Sequence, residues 1–217
     1  MQELCPVGLQ LLIVLYQDLW AGHFAKQILK YCVPEVQNIK IDGKSNVLSY
    51  VSIKDTVVRL WNDNTFRKCI GTGSSVNIKD IKDGTVYKDN DYFKKNNTAL
   101  AFQLYSDCVE VTNPLGAAKG THKLLMMYVS ILDFQLQYRS KIDSSFLVLV
   151  ARYKEIKNSR ELVFKKLIDD LKDLEAGIII GEDVVKAGLL TYCGDNLECH
   201  EIGGFQKYFH AGHPCRF

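Results

Sequence analysis

Two aspartates, Asp107 and Asp195, each follow a short apolar run with the composition of a buried strand. Two such strands lying side by side would bring both carboxylates to one edge of a sheet. Carboxylates at that position hold Mg²⁺ in phosphoryl-transfer sites. The pattern therefore predicts a catalytic, metal-binding pair with Mg²⁺ as its cofactor. The alternative is a local role, because aspartate after a strand is also a common turn or cap residue.

The elements that would position the two acids lie in the second half of the chain. A helix is predicted from Ser159, as its N-cap, to Gly177, because apolar residues recur there at helical spacing. Strands are predicted over residues 98–105, 124–132, 145–153 and 184–192. A helical crossover delivers the last strand beside the first in parallel sense. The expected fold is α/β with an RNase H-like core of three strands, a crossover helix and a fourth strand.

The first half of the chain reads differently. A helix is predicted over residues 9–31 and a shorter one over 51–60. Residues 78–95 are polar and rich in turn signals. We therefore predict a helical N-terminal region with a polar linker over residues 1–97 and the core domain over 98–217.

Composition limits the class of protein. The chain has 217 residues, of which 47% are hydrophobic, and a net charge of +2, so no global charge argues for a nucleic-acid partner. The chain has seven cysteines, and they lack the tight spacing seen in secreted proteins that disulfides hold together. This favours reduced thiols in a nuclear or cytoplasmic setting. The apolar run over residues 7–15 lacks a basic leader and is too short to span a membrane. We expect neither secretion nor a membrane partner.

A longer block around the first acid resembles a known family. Residues 105–116 followed by His122-Lys123-Leu124 resemble an Asp-x-x-Glu-x-x-Asn-Pro-Leu-Gly segment of transposon-derived animal proteins. They are more distantly similar to the Asp-Gly-x-Asn-Pro-x-Gly stretch of CACTA-type and KDZ-type transposases. The resemblance covers residues 45–217. Its further matching pieces are residues 138–141, 146–150, 167–174, 194–197, 200, 203–205 and 214–217.

The resemblance implies a DDE/D-type transposase core with Asp107 and Asp195 as its first two metal ligands. It also implies DNA as the partner and a nuclear role. The family's third acid lies on a later helix, and no segment of this chain matches that helix. We therefore expect a C-terminally truncated core that is inactive alone, which leaves its standing as an enzyme uncertain.

Basic residues near the acids are candidates for phosphate contacts. They are Lys119, Lys123, Arg139 and Lys141. The alternative is a solvated basic edge.

Zinc ligands are a weaker candidate at the C-terminal end. Cysteine and histidine bind Zn²⁺ tetrahedrally, and His210, His213 and Cys215 are the candidate ligands. Their spacing, and that of the nearby Cys193, Cys199 and His200, fits no standard finger. The alternative is loop histidines and buried thiols.

Two other functions compete with the transposase-like one. The chain would be a non-enzymatic interaction module if the N-terminal helix binds a partner or self-associates and the α/β core is a scaffold. It would be a cysteine- or zinc-dependent hydrolase if Cys193 or Cys199 acts with His200.

Overall fold

The computed structural model describes residues 35–41, 44–71, 80–110, 123–139, 141 and 144–204. Elements within these ranges are numbered in chain order. The strands are β1 (Glu35–Ile41), β2 (Lys44–Tyr50), β3 (Leu100–Glu110), β4 (Lys123–Ile131), β5 (Ser145–Arg152), β6 (Ile178–Ile180), β7 (Asp183–Val185) and β8 (Ala187–Cys193). The helices are α1 (Ile53–Trp61), α2 (Asn64–Cys69), α3 (Thr85–Lys88), α4 (Asp91–Lys95), α5 (Leu136–Arg139), α6 (Tyr153–Ala176) and α7 (Asn196–Ile202), with a 3₁₀ turn at Ile81–Asp83.

Six strands form one mixed sheet in the order β1-β2-β5-β4-β3-β8, and β6 pairs with β7 in a separate hairpin. β3 and β8 run parallel, whereas the other neighbouring strands of the large sheet are antiparallel. The fold is therefore mixed α/β, as the sequence predicts.

The long helix α6 leads from the antiparallel part of the sheet towards β8. Its side chains Val163, Leu167 and Leu174 are buried in one hydrophobic cluster with Phe102 of β3 and Leu125 of β4. A crossover of this length returns the chain in the parallel sense. The predicted pairing of the last strand beside the first acid-bearing strand is confirmed.

The long helix α6 consists of two helical segments that meet at Ser159, whose φ of −156° and ψ of 60° are not helical. The second segment begins after Ser159, as predicted, whereas the first segment, from Tyr153, was not predicted. The predicted end is confirmed. Gly177 follows the last helical residue with φ 107°, a conformation that favours glycine, and its N–H donates to the Asp173 carbonyl at 2.9 Å.

The sheet also contains two strands that the sequence analysis does not predict. β1 and β2 form a hairpin, and β2 pairs with β5 through Ser49 and Tyr50. The helical prediction for residues 1–97 is therefore wrong for this stretch. A signal was present in the sequence, since Asp42-Gly43 is a dipeptide typical of two-residue hairpin turns. The predicted helix over residues 9–31 lies outside the described residues.

Between these strands and β3 the chain packs on the sheet. The helix predicted over residues 51–60 is confirmed as α1, which buries Ile53 and Val57 in the main cluster. The stretch predicted as a polar linker contains the 3₁₀ turn, α3 and α4. Phe93 of α4 is buried against Leu132, beside the main cluster. The division of the chain near residue 97 stays a prediction.

No helix in the described ranges is long and apolar enough to cross a membrane.

The outer side of α6 is charged and includes an ion pair at 2.7 Å between Lys165 and Asp169.

Candidate metal site at the edge between β3 and β8

The parallel pairing of β3 with β8 aligns the two predicted acids. Leu104 lies opposite Tyr192, and Tyr105 lies opposite Cys193. Two residues further along each strand direction come Asp107 and Asp195. The register therefore places the two aspartates at corresponding positions on neighbouring segments, and both side chains are exposed.

Contact between the two segments continues up to the acids, because Gly194 packs against Ser106. A Cβ added at Gly194 would lie 3.2 Å from the Ser106 carbonyl oxygen, 3.4 Å from the Tyr192 hydroxyl and 3.5 Å from the Cys199 Sγ. Only a residue without a side chain allows this approach without displacing a neighbour. The close contact thus extends the alignment beyond Cys193, the last residue of β8.

A backbone N–H orients each of the two carboxylates. The N–H of Cys108 donates to Asp107 Oδ1 at 2.8 Å. The N–H of Glu198 donates to Asp195 Oδ1 at 2.7 Å, and the Cys199 N–H donates to the Asp195 carbonyl at 2.9 Å. Asp195 therefore caps the start of α7, as the alternative interpretation of its position expects. A cap that uses one carboxylate oxygen is compatible with metal binding by the other.

Tyr105 lies on the same face of β3 as Asp107, because side chains two residues apart on a strand point to the same side. Its side chain is 42% exposed. Partial burial raises the pKa of the Tyr105 hydroxyl, and the negative charges of Asp107 and Asp195 raise it further. Both carboxylates thus act on this one hydroxyl. Tyr105 is not among the predicted site residues, although its two-residue spacing from Asp107 was a usable signal.

A buried polar layer lies behind the acids, on the face of the sheet that packs against α6. The Ser106 and Tyr192 hydroxyls share a hydrogen bond there, and the Cys108 thiol donates to Glu198 Oε2 at 3.3 Å. Burial, followed by the charge of Glu198, raises the pKa of the Cys108 thiol. This thiol is therefore a structural group that ties β3 to α7, not an activated nucleophile.

The ligand set at this edge is partial. Among the described residues, no group of three or more His, Cys, Asp or Glu side chains could hold a metal ion. Mg²⁺ prefers octahedral oxygen ligation and usually keeps several waters while it binds one or two carboxylates and substrate phosphates. Two adjacent carboxylates fit that mode of binding, whereas they do not form a closed protein cage.

The cysteine and histidine candidates fall into two groups. His210, His213 and Cys215 lie outside the described residues, so the zinc hypothesis stays a prediction. The others, Cys193, Cys199 and His200, lie at the end of β8 and on α7. Cys193 Sγ accepts from Gln103 Nε2 at 2.8 Å, and the buried Cys199 thiol donates to the Gly194 carbonyl at 3.4 Å. These contacts tie the end of β8 to its neighbours. Within the described part, the cysteines that are free thiols are Cys69, Cys108, Cys193 and Cys199.

Three of the four basic candidates, Lys123, Arg139 and Lys141, lie within the described residues. Lys123 begins β4 opposite Glu110, three pairs beyond the Asp107–Met126 pair, and is exposed. Lys119 lies outside the described residues. Lys141 is exposed, and its Nζ lies 5.2 Å from the centroid of the Tyr138 ring.

Arg139 is held within the fold at the far end of β4. Its guanidinium donates to both Asp80 carboxylate oxygens, at 2.6 and 2.7 Å, and to the carbonyls of Leu132 and Phe134. Leu132 comes six residues after Met126, the residue paired with Asp107, which corresponds to about 20 Å along a strand. The structure therefore does not bring Arg139 to the acids.

The chain matches no known protein-family model. No curated protein matches it either. The resemblance to transposases therefore stays a prediction from the sequence motifs.

Proposed function

We propose that the edge between β3 and β8 binds Mg²⁺ through Asp107 and Asp195, in a fragment of a transposase-derived domain whose chemistry is Mg²⁺-dependent cleavage and transfer of DNA strands and which is inactive alone. The observation that carries the proposal is the parallel register, which aligns two exposed carboxylates from distant parts of the chain. Asp107 and Asp195 would share the cation. Bound Mg²⁺ would activate a water or a 3′-hydroxyl and stabilise the leaving oxygen.

The strand order supports an RNase H-like assignment for this domain. β3, β4 and β5 are consecutive antiparallel strands, α6 follows them, and β8 returns parallel to β3. This is the strand, helix and strand order predicted for such a core. β1 and β2 add to the opposite edge of the sheet, next to β5, and leave the edge with the acids unchanged.

The protein's own contribution to the chemistry would be orientation. The backbone N–H groups of Cys108 and Glu198 fix one oxygen of each carboxylate. A divalent cation needs its ligands held in place before it arrives, since a loose site loses affinity. Free thiols in the described part agree with a nuclear or cytoplasmic setting, which belongs to the same proposal.

Mn²⁺ titration tests the proposal, with bound ion measured from the loss of the free Mn²⁺ paramagnetic resonance signal. We expect Asp107→Asn and Asp195→Asn each to weaken binding by more than about tenfold, because loss of a supporting hydrogen bond alone costs 10- to 100-fold. Asparagine keeps the shape of the side chain and remains a good N-cap at position 195. Folding should therefore be retained, which circular dichroism verifies.

Asp89→Asn is the matched control. Asp89 has a 73% exposed side chain, lies between α3 and α4, and pairs with Lys94 at 3.5 Å. It should bind Mn²⁺ as the wild type does. A labelled DNA duplex then tests the partner: anisotropy should rise with added Ca²⁺ for the wild type and the control, and stay low for both site variants. Equal Mn²⁺ binding by all four proteins would refute the metal site.

The competing function, a non-enzymatic interaction module, has one observation in its favour. Ile179 and Val184 are paired across the β6–β7 hairpin and are 79% and 67% exposed. Such an exposed aliphatic pair suits a protein contact. If Asp107→Asn and Asp195→Asn behave as the wild type does with and without metal, this function is favoured.

A further inference from the structure

We propose that Tyr105 and Tyr128 form a stacking subsite for a base of single-stranded DNA beside the proposed metal site. This inference rests on the proposed function and deepens it, because it assigns the part of the DNA that would lie next to the phosphate at the cation. Neither tyrosine would contact the cation or the reacting atoms.

The two tyrosines lie on the same side of the sheet as Asp107. Side chains alternate between the two sides of a strand, so Gln103, Tyr105 and Asp107 share one side of β3. Tyr128 of β4 lies directly opposite Tyr105 in register and therefore belongs to the same side. The apolar side chains of α6 pack on the other side, in one hydrophobic cluster with Leu104. We call the side that carries Asp107 the acid face.

The tyrosine pair presents aromatic surface to solvent. The Tyr105 side chain is 42% exposed, and Tyr128 is half-buried. Their ring centroids lie 6.3 Å apart with an angle of 40° between the ring planes, a separation at which aromatic pairs are stabilising. Neither ring is a member of the hydrophobic clusters formed by the described residues. The pair is therefore a braced aromatic surface that the described part of the fold leaves partly open.

The neighbouring row of the acid face is polar. Gln103 lies opposite Ser130, and Ser130 lies opposite Ser145 of β5. The two serine hydroxyls share a hydrogen bond at 3.3 Å, and all three side chains are half-buried. Aromatic rings bind a base by its flat side, while amide and hydroxyl groups bond to base edges. This combination favours a nucleic-acid base over a purely apolar ligand.

The tyrosine pair lies next to the proposed metal site along the strands. Tyr105 comes two residues before Asp107, about 6.6 Å along the strand, and lies opposite Cys193, two residues before Asp195. A base stacked on Tyr105 would therefore lie beside a phosphate bound at the cation. Bases inside a duplex stack on one another, so only an unpaired base exposes its flat side to a protein ring. The expected ligand is therefore an unpaired stretch of DNA.

Tyr105→Leu tests the inference, because it removes the aromatic ring and keeps an apolar side chain on the strand. The probes are a fluorescein-labelled oligothymidine and an abasic strand of equal length, which keeps the phosphates and lacks the bases. Their binding to the full chain is measured by anisotropy with Ca²⁺ present. The wild type should bind the oligothymidine at least about fivefold more tightly than the abasic strand, since stacking of one base on an aromatic side chain contributes a factor of about 5 to 150.

Tyr105→Leu should lose this preference and bind both strands alike. Tyr105→Phe is the matched control, because it removes the hydroxyl and keeps the ring, and it should bind both strands as the wild type does. Both variants should bind Mn²⁺ as the wild type does, since neither substitution removes a carboxylate. Circular dichroism verifies that they fold.

The outcomes separate this inference from the proposed function. Wild-type protein that binds no Mn²⁺ refutes the proposed function, and the subsite falls with it. Mn²⁺ binding that depends on Asp107 and Asp195, with equal wild-type affinity for both strands, refutes the stacking subsite alone. A loss in Tyr105→Phe as large as that in Tyr105→Leu would also refute stacking, because the effect would then belong to the hydroxyl and not to the ring.

Discussion

Gly194→Ala should damage the metal site without touching a ligand. The added Cβ would lie 3.2 Å from the Ser106 carbonyl oxygen, inside ordinary van der Waals contact, with the Tyr192 hydroxyl and Cys199 Sγ close on other sides. The segments carrying Asp107 and Asp195 must move apart by a few tenths of an ångström.

The expected cost follows from the kind of overlap. Forcing a methyl group into a packed site typically costs about 1–3 kcal/mol of unfolding free energy. Metal ligands must be held within about 0.5 Å of their binding geometry. A displacement of this size should therefore weaken Mn²⁺ binding measurably, by less than the loss in Asp107→Asn.

Gly84→Ala provides a matched control for both measurements. A Cβ there would lie 3.3 Å from the Ile81 carbonyl oxygen, with no other atom of the described structure within 4 Å. Both substitutions reduce the entropy of the unfolded chain in the same way, so their difference isolates the native-state overlap. Urea denaturation and Mn²⁺ titration of the two variants give the comparison. If Gly194→Ala matches Gly84→Ala in both assays, the close approach of the two segments is not needed for the site.

Two further predictions concern the fold. Tyr50→Phe should lower the unfolding free energy by about 1.5–3 kcal/mol, because the buried Tyr50 hydroxyl donates to the buried Asp170 carboxylate at 2.9 Å. Urea denaturation measures this difference. A change below about 0.5 kcal/mol, the usual range for a surface substitution, would contradict the prediction. The hydrogen bonds and charge of Arg139 hold the pKa of Asp80 below its usual value. Their stabilisation is therefore fully present above the unfolded pKa of about 3.9 and is lost as pH falls towards the lower folded value. Arg139→Gln should be less stable than wild type at pH 7, with a gap that narrows below about pH 4, and a gap independent of pH would argue against the pair.

Local patterns in the sequence predicted the strands that carry or precede the acids, although not α7, which follows Asp195. The apolar run before Asp107 and the stripe of Val163, Leu167 and Leu174 have the periods of a strand and a helix, and these periods depend on neighbouring residues alone. The parallel return of β8 followed from the length and handedness of the crossover. That is why the alignment of Asp107 with Asp195 could be expected from the chain itself.

Partners distant in sequence could not be assigned in this way. Arg139 looked like a phosphate contact because it lies in a basic stretch, yet its partner is Asp80, 59 residues earlier. Tyr105 looked like one more strand residue until the fold paired it with Cys193, two residues before Asp195. The helical prediction for the N-terminal region did not include β1 and β2. These strands join the sheet because β2 pairs with β5.

The sequence by itself determined β3, β4, β5, β8 and the main part of α6, and through the crossover it determined that β8 lies beside β3. Only the tertiary structure decided which side chains lie near the acids, which basic side chains are paired with a carboxylate, and that β1 and β2 join the sheet. The physical reason is that periodicity and capping act over a few residues, whereas hydrogen-bond and ion-pair partners depend on how the whole sheet packs.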